Sequence, residues 1–239
     1  MQVERADAAR LNILWKSPIF NFLSAEEMDE LSSLMTAVSY GKDEFIFNEC
    51  EHPKKLFVVA SGGVKILKQS EDGKEVILDI AIPGDLFGAV AIFDGKPYPE
   101  TAQALEDSTV LSLERGDFFS FLRKNPDVAL EIITELGAMV RQYQDTIRAL
   151  ASERVEWRIA RIILNLARRS GVPASNSIAI ELPITRKDIA EMAGTTVETA
   201  IRVISNFKKQ GICEAQRKRI VITDRKRLEA MVSEGCVAA

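Results

Sequence analysis

At 239 residues the chain is long for one domain and comfortable for two, with the charged (28%) and apolar (46%) fractions of a globular protein. No apolar run approaches the ~20 residues of a membrane span, and MQVERADAARLN is not a secretory leader, so the expectation is a cytoplasmic protein without membrane contact. The net charge of −4 argues against nucleic acid but hides an asymmetry: residues 1–150 hold 15 Lys/Arg against 25 Asp/Glu, residues 151–239 hold 16 against 10. An acidic half joined to a basic half suits a sensor joined to a reader.

Catalysis is not expected. Metal chemistry in a β-roll needs clusters of His and Glu, and the chain has one histidine, His52. No nucleophile motif or glycine-rich phosphate loop occurs. Cys50, Cys213 and Cys236 lie far apart without a C-x-x-C pair, so neither a structural disulfide nor a cysteine-held cluster is indicated. A regulatory disulfide between Cys50 and a C-terminal cysteine stays open.

In chain order, Leu11 to Lys16 reads as a short lead-in helix before Pro18. Ser24 caps a second helix, SAEEMDELSSLM, with Glu27 placed for a capping box. From Val38 to Leu113 short β runs punctuated by glycine follow: EFIFNE, KLFVVASG, VKILKQS, EVILDIAI and STVLSL. This spacing predicts a β-barrel or double-sheet roll, with hairpin turns at Ser61-Gly62-Gly63 and Glu71-Asp72-Gly73. The roll carries Pro83-Gly84-Asp85-Leu86-Phe87-Gly88, then Ala91-Ile92-Phe93, then Tyr98-Pro99-Glu100-Thr101-Ala102.

Asp127 to Leu150 is one long helix. Ile133, Leu136, Val140, Tyr143, Ile147 and Leu150 step by alternating threes and fours, the seam of a coiled coil. The alternative is a helix buried along one side of its own domain; the unbroken length and polar flanks favour dimerisation. Ser152 to Arg154 interrupts the seam as a hinge, and Val155 to Arg168 is strongly amphipathic. SGVPASNS reads as a loop.

Thr185 is a good N-cap before Ile189, Ala190 and Met192; Gly194 breaks that helix. Thr195 or Thr196 caps the next, whose apolar stripe is Val197, Ala200, Ile201, Ile204 and Phe207, with Gly211 after its end. Two short helices about a tight turn outline a helix-turn-helix. Thr196, Glu198, Thr199, Arg202 and Ser205 stay off the stripe. Arginine suits guanine O6 and N7, and glutamate suits cytosine N4. Glu198 and Arg202, four apart, can also brace each other, so a plain amphipathic hairpin with a surface ion pair is the competing reading. Ile212–Ala215 and Arg219–Thr223 pair around Gln216-Arg217-Lys218 as a wing with a basic tip, and Asp224 caps a last helix.

Thr-Val-Glu-Thr-x-x-Arg, preceded by Ile-Thr-Arg-x-Asp-Ile-Ala and followed by the wing, resembles the CRP/FNR superfamily of bacterial transcription regulators over nearly the whole chain. The resemblance implies an α+β fold: an effector-sensing, cyclic-nucleotide-binding-like double-stranded β-roll (11–126), a dimerisation helix and hinge (127–154) and a winged helix-turn-helix DNA-binding domain (155–239). It implies that Glu198 and Arg202 read base edges, with Thr185, Arg186, Thr196, Val197, Thr199 and the wing residues Arg217 and Lys218 contacting DNA. Val197 matches the FNR-type branch, while Ile201 departs from the serine common there. The cysteine cluster that binds iron–sulfur in the FNR proteins is absent.

In nucleotide-binding members the segment that here runs from Pro83-Gly84-Asp85-Leu86-Phe87-Gly88 to Tyr98-Pro99-Glu100-Thr101-Ala102 is the phosphate cassette, and the resemblance puts Phe87, Gly88, Ala89, Val90, Glu100 and Thr101 in the effector pocket. There a glutamate grips the ribose and an Arg-Ser pair the phosphate; here Ala89 and Glu100-Thr101 stand at those positions. A carboxylate repels a phosphate, so the cassette fold is expected without cAMP binding. Tyr143 and Gln144 stand where the family's adenine contacts lie. The expected partners are a palindromic DNA duplex, a second copy of the chain, RNA polymerase and a small-molecule effector. Two alternatives remain open: a haem-based NO/CO or redox sensor with His52 as an axial ligand, and a sensor whose output is a protein contact.

Overall fold

The computed structural model describes residues 11–69, 73–174, 177–216 and 219–237. Arg217 and Lys218 of the expected wing tip, Glu71 and Asp72 of an expected turn, and the side chain of Cys236 lie outside the described residues. Contacts divide the chain into two units, residues 1–68 with 78–141, and residues 69–77 with 142–239.

In the first unit, helix α1 (Ala25–Leu34) starts at the expected capping box: the Glu27 carboxylate accepts from the Ser24 amide at 2.7 Å, and the Ser24 hydroxyl accepts from the Glu27 amide at 3.3 Å. The strands are β1 (Thr36–Tyr40), β2 (Phe45–Phe47), β3 (Lys55–Ser61), β4 (Val64–Gln69), β5 (Glu75–Ala81), β6 (Leu86–Phe87), β7 (Thr101–Ala104) and β8 (Ser108–Glu114). They form two sheets, ordered β1-β8-β3-β6 and β2-β7-β4-β5, which is the double-sheet roll read from the sequence. Helices α2 (Ala89–Asp94) and α3 (Arg115–Lys124) follow β6 and β8.

Strand β3 shows why this half has two cores. A strand turns successive side chains to opposite faces, so Leu56 and Val58 enter one cluster while Phe57 and Val59 enter another. The first cluster packs Leu14, Phe20, Met28 and Leu31 with Phe118, Phe121 and Ile132. The second, with Phe47, Phe87, Tyr98 and Val110, fills the inside of the roll. Burial on both faces explains the near-continuous apolar run KLFVVA.

Helix α4 (Pro126–Ser152) runs 27 residues, and α5 (Val155–Ser170) begins after a break at Glu153 and Arg154, where the hinge was expected. In the second unit, α5 buries Ile159, Ala160, Ile163 and Leu166. Helices α6 (Arg186–Met192) and α7 (Val197–Lys209) follow, then α8 (Arg225–Val237), whose first turn receives the Asp224 carboxylate on the Arg227 amide at 3.0 Å.

The predicted loop SGVPASNS is a correction. Gly171–Ala174 (β9) and Ser177–Ile180 (β10) are strands, and with Cys213–Gln216 (β11) and Arg219–Ile222 (β12) they form a sheet ordered β11-β12-β10-β9. The wing is therefore not an isolated hairpin. Ile178 and Ile180 of β10 stand opposite Ile222 and Ile220 of β12. A pair of strands alone is marginal in water, and the second pair supplies an apolar face.

A 13-residue helix such as α7 is marginal by itself. What holds it is Phe207, 1% exposed, beside Ala200, Val203 and Ile204. Truncating such a buried ring costs about 3–5 kcal/mol, against ~1 kcal/mol for a lost cap. Packing outweighs local signals here.

Candidate nucleic-acid interface and effector pocket

The reader begins at Thr185, whose hydroxyl accepts from the Asp188 amide at 3.1 Å and donates to the Asp188 carboxylate at 2.6 Å. That carboxylate also accepts from the Thr185 amide at 2.7 Å, and Asp188 is buried. The Thr185 side chain is thus engaged in the cap, and Arg186 next to it is exposed. Gly194 turns the chain at φ +57, a conformation that costs a side-chain-bearing residue. The Thr195 amide then donates to Ala190 at 3.0 Å, closing the turn.

Of the two N-cap candidates, Thr196 serves: its Oγ1 accepts from the Thr199 amide at 3.2 Å. The structure shifts the predicted stripe of α7. Val203 is buried, Ile201 is exposed and Val197 is half-buried. Ile201 therefore joins Thr196, Glu198, Arg202 and Ser205 on the outer surface. The braced pair is a second correction, since no ion pair joins Glu198 and Arg202 among the described residues, and both are exposed. Helix α7 so presents a free acceptor and a free guanidinium beside an N-terminus whose dipole favours phosphate.

In the roll, Phe87 is buried and Gly88, at φ +72, opens α2. A Cβ at Gly88 would stand 3.3 Å from Phe47 and Tyr98 and 3.4 Å from Phe57, so glycine lets the backbone lie against these rings. Phe47 stacks on Tyr98 with centroids 3.9 Å apart, and Phe57 lies 5.2 Å from Phe87. The sequence reading did not place Phe47, Phe57 and Tyr98 beside Gly88. Pairing sets β3 beside β6, and the packing of the two sheets brings Phe47 of β2 against them. Ala89 is buried in α2, and Val90 is exposed.

Glu100 is half-buried, and burial raises its carboxyl above the usual range; Lys68 opposes this and Glu49 adds to it. Thr101 is half-buried, and its hydroxyl accepts from the Glu49 amide at 2.9 Å. Lys68 Nζ sits 3.0 Å from Glu49 and donates to the Pro99 carbonyl at 3.1 Å. The cation beside the site is therefore Lys68, already paired, and not Lys96, which is exposed and lies 4.0 Å from Asp94. The Arg115 guanidinium donates to the Ile92 carbonyl of α2. Lys68, the cation that acts on Glu100, is thus already engaged by Glu49.

Along α4, Ile133, Val140, Tyr143, Ile147 and Leu150 are exposed, Ile133 at 63% and Ile147 at 67%, and Gln144 is exposed beside them. Leu136 differs: it packs partly against the first core. Leu130, 63% exposed, extends the apolar stripe by a turn that the heptad reading omitted. His52 is exposed in the segment before β3. Cys50 is exposed as well, whereas burial pushes the Cys213 thiol up to about 11 and makes it a poor redox partner.

A free Glu/Arg face on a capped second helix, beside a winged sheet and joined to a double-sheet roll, defines a sensor-linked helix-turn-helix regulator. Residues 37–125 match the cyclic nucleotide-binding domain and residues 157–231 the Crp-like helix-turn-helix domain. The fumarate and nitrate reduction regulatory protein of Salmonella typhimurium is 30% identical over 210 residues, covering 87% of this chain and 84% of that protein. The CRP-like cAMP-activated global transcriptional regulator of Mycobacterium tuberculosis is 26% identical, over 90% of this chain and 96% of that one. The structure of FixK2 from Bradyrhizobium japonicum superposes with a TM-score of 0.74 at 28% identity, covering 82% of this chain and 96% of that chain. The chain belongs to the CRP/FNR family of DNA-binding transcription regulators, whose members are not enzymes and act as dimers on DNA. No helix among the described residues is long and apolar enough to cross a membrane.

Proposed function

We propose that the chain is a cytoplasmic homodimeric regulator whose effector is not cAMP: residues 11–126 sense, 127–154 dimerise and hinge, and 155–239 read DNA. The dimer would bring α4 of two copies together along Ile133, Val140, Tyr143, Ile147 and Leu150. A two-fold axis then places two α7 helices in successive major grooves, ~34 Å apart, on a palindromic operator. Glu198 and Arg202 read bases, with Val197 beside them in the groove; Arg186, Thr196, Thr199 and the wing's Arg217 and Lys218 position the helix on phosphates. RNA polymerase is the expected partner at the promoter. The effector would act at the roll, by changing how the two readers are presented.

What supports the effector half is Glu100, with Glu49 acting on it, at the position where the resemblance puts the phosphate contact. A phosphodiester buried without a cationic partner is costly, and Lys68 already serves Glu49. Calorimetry with cAMP and cGMP at millimolar concentration is the test, and no saturable heat is expected. Binding that saturates in the micromolar range would overturn this reading.

A further inference from the structure

Glu153 is a buried carboxylate that nothing in the reader uses. It is 5% exposed, and it stands between the last turn of α4 and the first of α5, all within the second unit. Its three polar groups face different ways. The amide donates to the Ala149 carbonyl of α4 at 2.9 Å. The carbonyl accepts from Arg158 Nη1 of α5 at 2.9 Å. Carboxylate Oε1 accepts from Arg161 Nη2 of α5 and lies 3.9 Å from Arg148 Nη2 of α4. Arg154 turns away, its guanidinium 5.5 Å from the Trp157 ring.

Arg158 extends the chain of contacts to the reader. Its Nε donates to the Ala193 carbonyl at 2.9 Å and its Nη2 to the Gly194 carbonyl at 3.5 Å. These carbonyls belong to the turn between α6 and α7. One rigid guanidinium therefore spans the hinge and the turn that sets the start of the recognition helix, a geometry that lysine cannot reproduce.

We propose that Glu153 is a charged latch: it locks the angle between α4 and α5 through Arg161, and Arg158 passes that angle to the α6–α7 turn. The inference rests on α6–α7 being the DNA reader. As a stability device the pair is poor, because Glu153 Oε2 and Arg161 Nε are buried without hydrogen-bond partners among the described residues. Apolar side chains of similar size would hold the same space as well or better. Charge adds dependence on geometry. Arg161 meets the carboxylate only at this interhelical angle, and at any other both ions regain water. The contacts form a contiguous set from hinge to reader, with two states available to the pair, closed and hydrated.

Hydrogen exchange on the free full-length chain tests this, comparing wild type with Glu153→Gln and with the apolar pair Glu153→Leu/Arg161→Met. In both variants the amides of Glu153 and Thr195 are expected to exchange about tenfold faster or more, through local opening, while the β10–β12 ladder keeps its wild-type protection. The apolar pair should melt at the wild-type temperature or above. Unchanged exchange at Glu153 and Thr195, or equal acceleration across the whole domain, overturns the latch. Arg202→Ala on an operator selected with the wild-type protein tests the reader separately. If it leaves discrimination intact, the reader assignment has failed whatever the exchange data show.

Discussion

The roll and the outer face of α7 belong to one chain and treat their polar groups in opposite ways. On the roll, the exposed Lys68 is paired with Glu49 and Thr101 accepts from a backbone amide, while four aromatic rings pack in the core between the sheets. On α7, Glu198 and Arg202 face water with no ion pair between them. A site that keeps charged groups exposed and unsatisfied is prepared for a partner that satisfies them. A site whose polar groups are already engaged offers none of them to an anion.

Four experiments break or sharpen this contrast, from the largest expected effect to the smallest. Val140→Asp with Ile147→Asp should give folded monomers, since both side chains are exposed in the single chain. Each uncompensated carboxylate in a closed seam costs roughly several kcal/mol. Sedimentation velocity showing an intact dimer would remove α4 from the interface. Arg202→Ala should lose about 1–3 kcal/mol of operator discrimination per half-site, the worth of one bidentate base contact. A mobility shift in which operator and random duplex weaken equally would assign Arg202 to phosphate instead.

Arg186→Ala should weaken all sequences alike and reduce the salt slope of binding by about one unit, as expected for a single phosphate contact. Titrations across salt concentrations that leave the slope unchanged would take Arg186 off the backbone. The smallest effect belongs to the roll. Burial raises the Glu100 carboxyl, so the folded state holds its proton more tightly than the unfolded chain does. Its contribution favours folding below the ordinary carboxylate range and is lost as pH rises through the raised value. Glu100→Gln should therefore melt higher than wild type at neutral pH, by about 1–2 °C because the group is only half-buried, and the gap should close near pH ~4. A gap that widens on acidification would mean that Glu100 is held by a cation.

Where local chemistry decides, the sequence was enough. The Ser24, Thr185, Thr196 and Asp224 caps, the Gly194 turn, the long helix and its break were legible because each depends on residues within one turn of one another. The acidic first half and basic second half are visible in the sequence as a charge asymmetry. The base-reading roles of Glu198 and Arg202 rest on the resemblance and belong to the proposal.

Tertiary structure decided the rest, because pairing and burial join residues that spacing cannot relate. Packing of the two sheets put Phe47, Phe57, Phe87 and Tyr98 in one core, and the pairing of β4 with β7 made Lys68 rather than the nearer-in-sequence Lys96 the cation that acts on Glu100. Packing of α7 buried Val203 and exposed Ile201, a rotation of one residue step that a stripe of mixed apolar residues leaves open. Sheet pairing turned the predicted loop after α5 into β9 leading to β10, since β10 is held by β12 and β9 in turn by β10. Glu153 is the clearest case: a charged residue in a hinge reads as solvated, and only the meeting of α4, α5, Arg158 and Arg161 removes it from water.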